Sequence, residues 1–221
     1  MNNQKNSYVF ELVRNRRATK RMKSGFTITD EQLRLITESI RWTSMSYGVW
    51  CYRIIVVPRG QLRDELAPVW YNQPSFINSS HVIIFLHDKE NKIRNKTMNN
   101  SFNKAIPDSA IEIRDVMKNA VLNNWATNNV NPDEWSAKQT YIALGTAMIA
   151  VADLGLDSSP YEGFDRNAVE AILEKHNLIN RQEESVSVAI GIGKADLDDN
   201  MVHFFEKERM DEDKFTTIIK K

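Results

Sequence analysis

The chain lacks an excess of charge of either sign. Its 221 residues include 29 Lys or Arg and 29 Asp or Glu, so the formal net charge is zero. A protein that binds nucleic acid normally presents a basic surface, and attraction to an anionic membrane also requires excess positive charge. The composition therefore argues against nucleic-acid and membrane partners.

Cysteine is nearly absent as well. Cys51 is the only one, so an internal disulfide cannot form, which is consistent with a reducing cytosol. The segment 1–13 has no apolar core of signal-peptide length. The longest apolar run, Tyr141–Ala152, is shorter than the ~20 residues that cross a bilayer. We therefore expect a soluble, cytoplasmic protein.

The usual catalytic motifs are also missing. There is no G-x-S-x-G nucleophile motif, and the four histidines do not have the spacing of metal ligands, so no metal site is predicted. Cys51 precedes a predicted strand and is more typical of a small core residue than of a nucleophile. Gly191–Lys194 lacks the full phosphate-loop motif. If the protein is an enzyme, a cofactor must supply the reactive group.

Apolar residues make up 42% of the chain, which is enough for one sizeable core, and we predict a single domain over residues 1–221. Apolar spacing and capping residues predict these helices: Tyr8–Asn15, one capped by Thr29, Gln61–Ala67, one from Asp108 or Ser109 to about Trp125, a long helix opened by Pro132, and Asp165–Lys175. Strands are predicted at Tyr52–Val57, His81–Leu86, just after Leu156, and Ser185–Ile190. Strands dispersed among more numerous helices indicate an α+β fold with one central sheet.

Two regions are expected to lie outside that core. The stretch 87–109 is polar and rich in Asn and Lys, so it is predicted to be part of a mobile excursion or lid covering residues 88–131. His81 and His87, at the ends of a predicted strand, are expected to cap it or lie at the surface.

The second region is a charged C-terminal arm, residues 194–221. It carries five large apolar side chains: Phe204, Phe205, Phe215, Ile218 and Ile219. Full burial of each contributes roughly 1.5–3 kcal/mol, which favours docking over disorder. From the residues alone, docking on the arm's own subunit and on a partner are equally supported.

The most informative segment begins with the apolar helix Tyr141–Ala152. A helix that is apolar all round is expected to be buried on all sides. The chain continues through Leu154–Leu156 into a short strand and the loop Pro160–Phe164, sequence PYEGF. This series resembles the FMN-dependent nitroreductase family, which implies a nitroreductase-like fold with a central mixed sheet. The resemblance places this loop against the flavin, with backbone N–H groups near N5, and so implicates Pro160, Tyr161, Glu162 and Gly163.

Two basic clusters strengthen the resemblance. Arg16–Lys20 matches the family's R-x-S-x-K motif, with Ala18 where serine is usual, and Lys207–Arg209 matches its K-x-R motif. Guanidinium groups suit bidentate phosphate binding. By resemblance, the FMN phosphate and ribityl chain are bound by Arg16, Arg17, Ala18, Lys207 and Arg209, while Lys20 reaches the pyrimidine edge of the ring.

Two further segments match with departures. Thr43–Arg53 resembles a loop that covers the flavin from the partner subunit, and it implicates Ser44, Met45, Ser46 and Gly48. Trp50-Cys51 stands where the family has Gln-Pro, so loop shape is expected to differ. In Trp70–Ser75, Asn72 is expected at the pyrimidine edge, and Ser75 replaces a lysine present in some members, so that contact is expected to be lost.

The resemblance implies a homodimeric oxidoreductase in which the arm segment Lys214–Ile219 adds a strand to the partner's sheet. Hydride would pass from NAD(P)H through FMN to a nitroaromatic, a quinone or another flat acceptor by a ping-pong mechanism. The chain's excursion 88–131 would line the substrate channel. Two alternatives stay open: another flavin reaction on the same fold, such as dehalogenation or enoate and dehydrogenation chemistry, and a non-catalytic flavin-binding regulatory protein.

Overall fold

The structure is a computed structural model that describes residues 7–220. Within them the α-helices are α1 Tyr8–Asn15, α2 Asp30–Arg41, α3 Gln61–Leu66, α4 Pro74–Asn78, α5 Glu90–Lys92, α6 Met98–Ala105, α7 Ile111–Thr127, α8 Pro132–Asp153, α9 Arg166–Lys175 and α10 Glu212–Phe215. The strands are β1 Tyr52–Pro58, β2 His81–Asp88, β3 Asp157–Tyr161 and β4 Glu184–Gly193. The predictions for residues 1–6 and 221 lie outside the described residues.

The four strands form one sheet in the order β1-β2-β4-β3. All three pairings are antiparallel, with Pro58 opposite His81 and Tyr161 opposite Ala189. The expected α+β class is confirmed, but the expected mixed sheet is wrong for the strands of residues 7–220. The reason is that the connections from β1 to β2 and from β3 to β4 each start and finish at the same end of the paired strands, so each reverses the chain direction. The interior strands β2 and β4 are also antiparallel.

The two faces of the sheet carry separate cores because side chains alternate along a strand. In β2, Val82, Ile84 and Leu86 face the core formed with α3, α4 and α9, whereas Ile83 and Phe85 face the core formed with α2 and α8. His87 is also buried, and its Nδ1 lies 2.7 Å from the Ser187 hydroxyl oxygen. The expectation that His87 caps the strand or lies at the surface is therefore wrong, because β4 covers it.

Capping residues define the helix starts on the second face. The Thr29 side chain accepts from the backbone N–H of Gln32, and the Gln32 side chain accepts from that of Thr29, which confirms the predicted cap of α2. In α8, the Asn131 side chain accepts from two backbone N–H groups, and Pro132 occupies the first turn.

Helix α8 packs on the sheet but is not enclosed by this chain. Ala143, Ala147 and Val151 are fully buried against the sheet, whereas Tyr141 is 41% and Ile142 50% exposed. The expectation of burial on all sides is therefore wrong for the single chain, because no described element covers the outer face. Among residues 7–220, no helix is both long and apolar enough to cross a membrane.

The polar excursion has a hydrophobic core of its own. Ile93, Met98 and Phe102 are buried together with Trp125 and Trp135, whose ring centroids are 5.4 Å apart. The expectation that the stretch 87–109 is not core is therefore wrong for Ile93, Met98 and Phe102, which are buried in a cluster separate from the two cores of the sheet because helical turns bring them to one side.

Helix α7 ends close to the predicted position but starts later. It begins at Ile111 without a side-chain cap. The Asp108 carboxylate instead accepts from Arg114 at 2.7 Å, so the prediction of Asp108 or Ser109 as the cap is wrong. The role of residues 88–131 as a lid or substrate channel stays a prediction.

The C-terminal arm extends from the body of the protein. Phe215 is 77% exposed and Ile219 86%, so these side chains do not dock on their own subunit. The segment Lys214–Ile219 is not a strand in this single chain; Lys214 and Phe215 lie in α10, and the rest has no regular secondary structure. Its predicted pairing with a partner's sheet requires a second copy and stays a prediction.

Candidate functional site

The basic clusters from the two ends of the chain meet around one cavity of about 460 Å³. It is lined by Arg16, Arg17, Ala18, Lys20, His203, Phe204, Phe205, Lys207 and Arg209. The first four come from the segment after α1, and the rest come from the C-terminal arm. Of the residues predicted to bind a cofactor, the structure thus brings together six that are separated by almost the whole chain.

Backbone hydrogen bonds fix the segment after α1. Ala18 forms a parallel bridge with Ser158 of β3, and the Thr19 N–H donates to the Ser158 carbonyl at 3.0 Å. The Lys20 N–H donates to the Val202 carbonyl at 2.9 Å. The segment is therefore held between the edge strand of the sheet and the start of the arm.

Lys207 ties the arm to the end of α1. Its ammonium donates to the carbonyls of Val13 and Arg16, at 2.8 and 2.9 Å, and also to that of Arg14. A cation at a helix C-terminus satisfies orphan carbonyls and interacts favourably with the helix dipole. Lys207 is therefore a structural element of the cavity as well as one of its charges.

The Arg16 side chain has hydrogen-bond donors that no described residue uses. Its Nε and Nη2 atoms are buried and have no hydrogen-bond partner among the described residues. Burial lowers the pKa of Arg16, and the nearby Arg209 lowers it further. Buried N–H donors without a partner are costly, so the Nε and Nη2 groups of Arg16 are suited to an anionic ligand.

The charges around Arg16 also favour an anionic ligand. Burial lowers the pKa of Lys207, and Arg209, Arg16 and Arg17 lower it further. The Glu206 carboxylate lies 3.8 Å from Arg17 but is 90% exposed, so it compensates this charge weakly. The cavity is therefore positive overall, and a phosphate dianion fits both its charge and its unused donors.

An aromatic wall that the sequence did not reveal completes the cavity. His203, Phe204 and Phe205 line it, and the Lys20 ammonium lies 5.9 Å from the centre of the Phe204 ring. A cation at this distance interacts favourably with the ring face. In the sequence, these residues could have been recognised as part of the site by their position just before the basic motif Lys207–Arg209.

The predicted loop Pro160–Gly163 lies at the other end of β3: Pro160 and Tyr161 are the last two residues of the strand, and Glu162 and Gly163 follow it. Gln73 donates through Nε2 to the Gly163 carbonyl at 2.9 Å, and the Tyr141 hydroxyl donates to Glu162. Glu162 and Gly163 are exposed. These two contacts, which local sequence patterns do not predict, hold the loop from both sides.

Two predicted residues near this loop differ in their access to a ligand. The Tyr161 side chain is buried and packs edge-on against Phe76, with ring centroids 6.1 Å apart, so only its backbone can contact a ligand. Asn72 is exposed and has a positive φ of 49°, next to Gln73. The structure thus places Asn72 beside the loop through the Gln73 contact.

One strand joins the anion cavity to the loop. Ser158, which pairs with Ala18, lies four residues before Glu162, a separation of about 13 Å at ~3.3 Å per extended residue. The two parts of the candidate site therefore lie along the same edge of the sheet.

The predicted covering loop lies elsewhere on the protomer. Met45 and Gly48 line a second cavity, of about 570 Å³, together with Trp42, Trp50 and Tyr52, and it shares no lining residue with the basic cavity. Ser44 is exposed and Ser46 half-buried. Within one chain, Ser44, Met45, Ser46 and Gly48 are therefore not brought to the basic cavity.

Hydrogen bonds determine the shape of this loop in place of the family's proline. The Gln139 side chain accepts from the Ser46 N–H, and the Ser101 hydroxyl accepts from the Trp50 N–H, each at 2.9 Å. The Cys51 N–H donates to the Val49 carbonyl at 2.8 Å, which a proline could not do. Cys51 is fully buried, and burial is the main cause that raises the pKa of its thiol to about 12. A buried thiol that stays protonated agrees with the prediction that Cys51 is a core residue and not a nucleophile.

Comparison with known proteins identifies the family. Residues 13–194 match the model of the Nitroreductase family. The chain belongs to the nitroreductase family. A relative from Staphylococcus saprophyticus, which carries the provisional name NAD(P)H nitroreductase, is 30% identical over 80% of this chain and 84% of its own length.

Solved structures match the fold of this nitroreductase-family protein. A provisionally named nitroreductase of Bacillus subtilis has a TM-score of 0.79 and 21% identity, over 95% of this chain and 98% of that one. A provisionally named nitroreductase from Exiguobacterium sibiricum, solved in complex with FMN, has a TM-score of 0.75 and 18% identity, over 98% and 99% of the two chains.

Proposed function

We propose that this nitroreductase-family protein is an FMN-dependent oxidoreductase that uses NAD(P)H. The observation that carries the proposal is the half-buried Arg16 side chain, with two buried donors that have no partner among the described residues, in a cavity that also gathers Lys207 and Arg209. Arg16 and Arg209 would bind the FMN phosphate through charge-assisted hydrogen bonds, and Lys207, whose three donors bond backbone carbonyls, would add positive charge. The name of the staphylococcal relative and the FMN complex of the Exiguobacterium protein support the same cofactor and co-substrate.

The remaining site residues have proposed roles along the edge of the sheet. Arg17 and Ala18 line the phosphate end, and Lys20 and Asn72 are proposed at the pyrimidine edge. The backbone of Glu162 and Gly163 is proposed to face the reactive ring edge, held by Gln73 and Tyr141. When bound, FMN would accept hydride at N5 from NAD(P)H and pass it to a second substrate in a ping-pong cycle.

The acceptor is proposed to be a small flat molecule such as a nitroaromatic or a quinone. In this scheme the protein provides stacking geometry and electrostatics instead of acid–base side chains. Trp42, Trp50 and Tyr52 around the second cavity provide an aromatic surface suited to such acceptors.

Function is proposed to require a homodimer. The outer face of α8, with Tyr141 and Ile142, and the arm, with Phe215 and Ile219, expose apolar side chains. Burial of such surface is what stabilises association of two subunits. A partner would also supply the Ser44–Gly48 loop, which lies away from the basic cavity of its own chain.

The test is spectroscopic and kinetic. The purified protein, supplied with FMN and passed over a desalting column, should retain the visible flavin absorbance and lose it on anaerobic addition of NADPH or NADH. Reoxidation by a nitroaromatic or quinone should then restore the absorbance. Retention of flavin without bleaching would favour the regulatory alternative, and bleaching followed by reoxidation only with a halogenated or enoate substrate would favour another flavin reaction.

A further inference from the structure

The exposed residues Glu162 and Gly163 lie between two aromatic residues that are buried in the core. Tyr161 directly precedes them and Phe164 directly follows them, and both rings belong to the core on the side of α3, α4 and α9. The Phe164 ring lies 4.6 Å from the Trp70 ring, measured between ring centroids. The backbone that we propose to face the flavin is therefore fixed at both of its ends by packed rings.

The Tyr161 ring lies over Gly191 of the neighbouring strand β4. Tyr161 is paired with Ala189, and Gly191 is two residues farther along β4, a diagonal position that an aromatic side chain can reach. A Cβ atom added to Gly191 would lie 2.5 Å from the Tyr161 hydroxyl oxygen and 3.0 and 3.1 Å from two carbons of its ring. Carbon atoms in favourable contact are about 3.5–4.0 Å apart, so a side chain at position 191 would displace the ring.

The backbone conformation of Gly191 gives no other reason for glycine at this position. Its φ does not lie in the positive range that favours glycine. Every residue of β4 is buried, and a glycine inside a strand weakens the strand because it has no side chain to pack. The close approach of the Tyr161 ring is therefore the feature that accounts for Gly191.

Displacement of the Tyr161 ring would be passed on to the end of β3. The ring also contacts Phe76 edge-on, at 6.1 Å between centroids, and Phe76 is stacked on Trp70 at 4.6 Å. A closely packed core leaves few voids into which a ring can move. Tyr161 is the last residue of β3, and β3 is an edge strand, so its backbone can shift more easily than that of the interior strands.

We infer that Gly191 is a positioning residue: by leaving room for the Tyr161 ring, it fixes the backbone of Glu162 and Gly163 at the reactive edge of the flavin. The inference rests on the proposed FMN function and deepens it, because it assigns the placement of this loop to a residue on another strand. Gly191 does not line the basic cavity, so its replacement should leave the phosphate contacts in place.

Amide hydrogen exchange of the flavin-free, full-length protein measures the position of the loop without the cofactor. The Asp165 N–H donates to the Val69 carbonyl at 2.9 Å and reports on the end of the loop, whereas the amides of the interior strand β2 report on global unfolding. Gly191→Ala should raise the exchange rate of Asp165, relative to the β2 amides, by at least about tenfold.

Gly193→Ala, two residues farther along the same strand, is the matched control. The nearest atom to its added Cβ is Sδ of Met22, at 3.3 Å, which is near the end of a flexible side chain. Gly193→Ala therefore also removes a glycine from β4 but leaves the Tyr161 ring in place. It should not change the exchange rate of Asp165 relative to the β2 amides.

A second measurement compares the affinity of each protein for oxidised and reduced FMN. Displacement of the loop should change the ratio of the two dissociation constants by about tenfold, which corresponds to about 30 mV for a two-electron couple. The ratio of the affinities for FMN and riboflavin should stay the same, because the phosphate site is at the other end of β3. A general loss of stability would not change the first ratio and preserve the second.

Replacement of Tyr161 tests the contact from the other side. In the double variant Gly191→Ala/Tyr161→Phe, the oxygen 2.5 Å from the added Cβ is gone and only the contacts at 3.0 and 3.1 Å are left. Relative to Tyr161→Phe alone, the double variant should therefore differ less than Gly191→Ala differs from the wild type, in both measurements. If Gly191→Ala does not fold, Tyr161→Leu removes the ring above an unchanged Gly191 and should raise Asp165 exchange in the same way.

The results that would overturn the inference leave the proposed function intact. They are equal Asp165 exchange in Gly191→Ala and Gly193→Ala, an unchanged ratio for oxidised and reduced FMN, and an equal effect of Gly191→Ala with Tyr161 or Phe at position 161. Unchanged Asp165 exchange in Tyr161→Leu would also overturn it. Absence of FMN binding by the wild type would instead contradict the proposed function and, with it, the role of the loop.

Discussion

The Tyr141 hydroxyl donates a hydrogen bond to Oε1 of Glu162, so the central helix α8 is joined directly to the loop after β3. On the other side of that loop, Gln73 bonds the Gly163 carbonyl. The loop that we propose to face the flavin is therefore held by two side chains from different parts of the chain. Preorganisation of this kind fixes reacting groups before a substrate binds.

Replacement of Tyr141 by Phe tests this contact. A hydrogen bond to a charged group contributes about 1.5–3 kcal/mol, and less when it is partly exposed, so we expect kcat/KM to fall by roughly tenfold. FMN affinity should change little, because the phosphate site is at the other end of β3. Steady-state kinetics and FMN titration measure the two effects. Ile142→Val, on the adjacent exposed position, is the matched control, and equal losses in both variants would contradict a specific role for the Tyr141 hydroxyl.

The contact between Tyr141 and Glu162 also has a defined pH range. Burial is the main cause that raises the pKa of Tyr141 to about 12, and the Glu162 hydrogen bond adds to it. A raised pKa means that the donor stays protonated, so its contribution is present below the ordinary tyrosine value of about 10 and is lost as the pH rises through about 12. Tyr141 should therefore not limit activity on the alkaline side below about pH 11.

Replacement of Arg16 by Ala should weaken FMN binding without destabilising the flavin-free protein. Arg16→Ala should weaken FMN binding by roughly 10- to 150-fold, corresponding to about 1.5–3 kcal/mol for a charge-assisted contact. The flavin-free variant should be at least as stable as the wild type, because two buried N–H donors without a partner among the described residues have been removed. FMN titration and thermal unfolding of both forms measure these changes.

Arg34→Ala is the matched control for that experiment. Arg34 is exposed on α2 and bonds Glu31 at 2.8 Å, and it does not line the basic cavity. Its removal should leave FMN affinity unchanged. If Arg16→Ala retains full FMN affinity, or if Arg34→Ala loses as much, the assignment of the phosphate site is wrong.

Acid sensitivity should depend on an ion-pair network at the edge of β1. Burial tends to raise the pKa of Glu184, but hydrogen bonds from Arg53 and Lys92 outweigh it and lower the value to about 2. Lys92 also pairs with Asp88 at 2.8 Å. A lowered carboxylate pKa stabilises the fold above the unfolded value of about 4.3, and this contribution is lost as the pH falls toward 2.

Glu184→Gln should therefore lower the free energy of unfolding at pH 7 by an amount on the order of 3 kcal/mol, with a difference that shrinks below about pH 4. Denaturant unfolding at a series of pH values measures it. Glu183→Gln, at the neighbouring and more exposed position, is the control and should have a smaller effect. A difference between Glu184→Gln and wild type that stays constant down to about pH 2.5 would contradict the assignment.

Deletion of residues 211–221 tests the dimer. It removes Phe215, Ile218 and Ile219 but keeps Lys207 and Arg209 in the cavity. Because burial of each apolar side chain contributes roughly 1.5–3 kcal/mol, the dimer dissociation constant should rise by at least about 100-fold. Light scattering and analytical ultracentrifugation measure the oligomeric state. A monomeric wild-type protein, or a truncated form that dimerises as well as the wild type, would argue against exchange of the arm.

Local patterns predicted the sheet strands well because their information is local. The continuous apolar run of β2 and the cap at Thr29 need no long-range contact to be recognised. The burial of His87 and of the excursion could not be predicted in this way. His87 is covered by Ser187, 100 residues later, and Phe102 is covered by Trp125 and Trp135 from later helices.

The residues of the candidate site also divide into those with a local sequence pattern and those without one. The motifs around Arg16 and Arg209 could be found from the sequence, because cations at fixed spacing form a recognisable pattern. The contacts of Tyr141 with Glu162 and of Gln73 with Gly163 could not, since they join segments 21 and 90 residues apart without a shared pattern. His203 has no local signal beyond its proximity to the basic motif of the arm.

The measurement that tests the central claim most directly is the affinity of the flavin-stripped protein for FMN compared with riboflavin. Two charge-assisted contacts to the phosphate at about 1.5 kcal/mol each predict that FMN binds at least ~100-fold more tightly. This preference should largely disappear when Arg16 and Arg209 are both replaced by Ala. Equal affinity of the wild type for the two flavins, or a preference for FMN that survives the double replacement, would contradict the account.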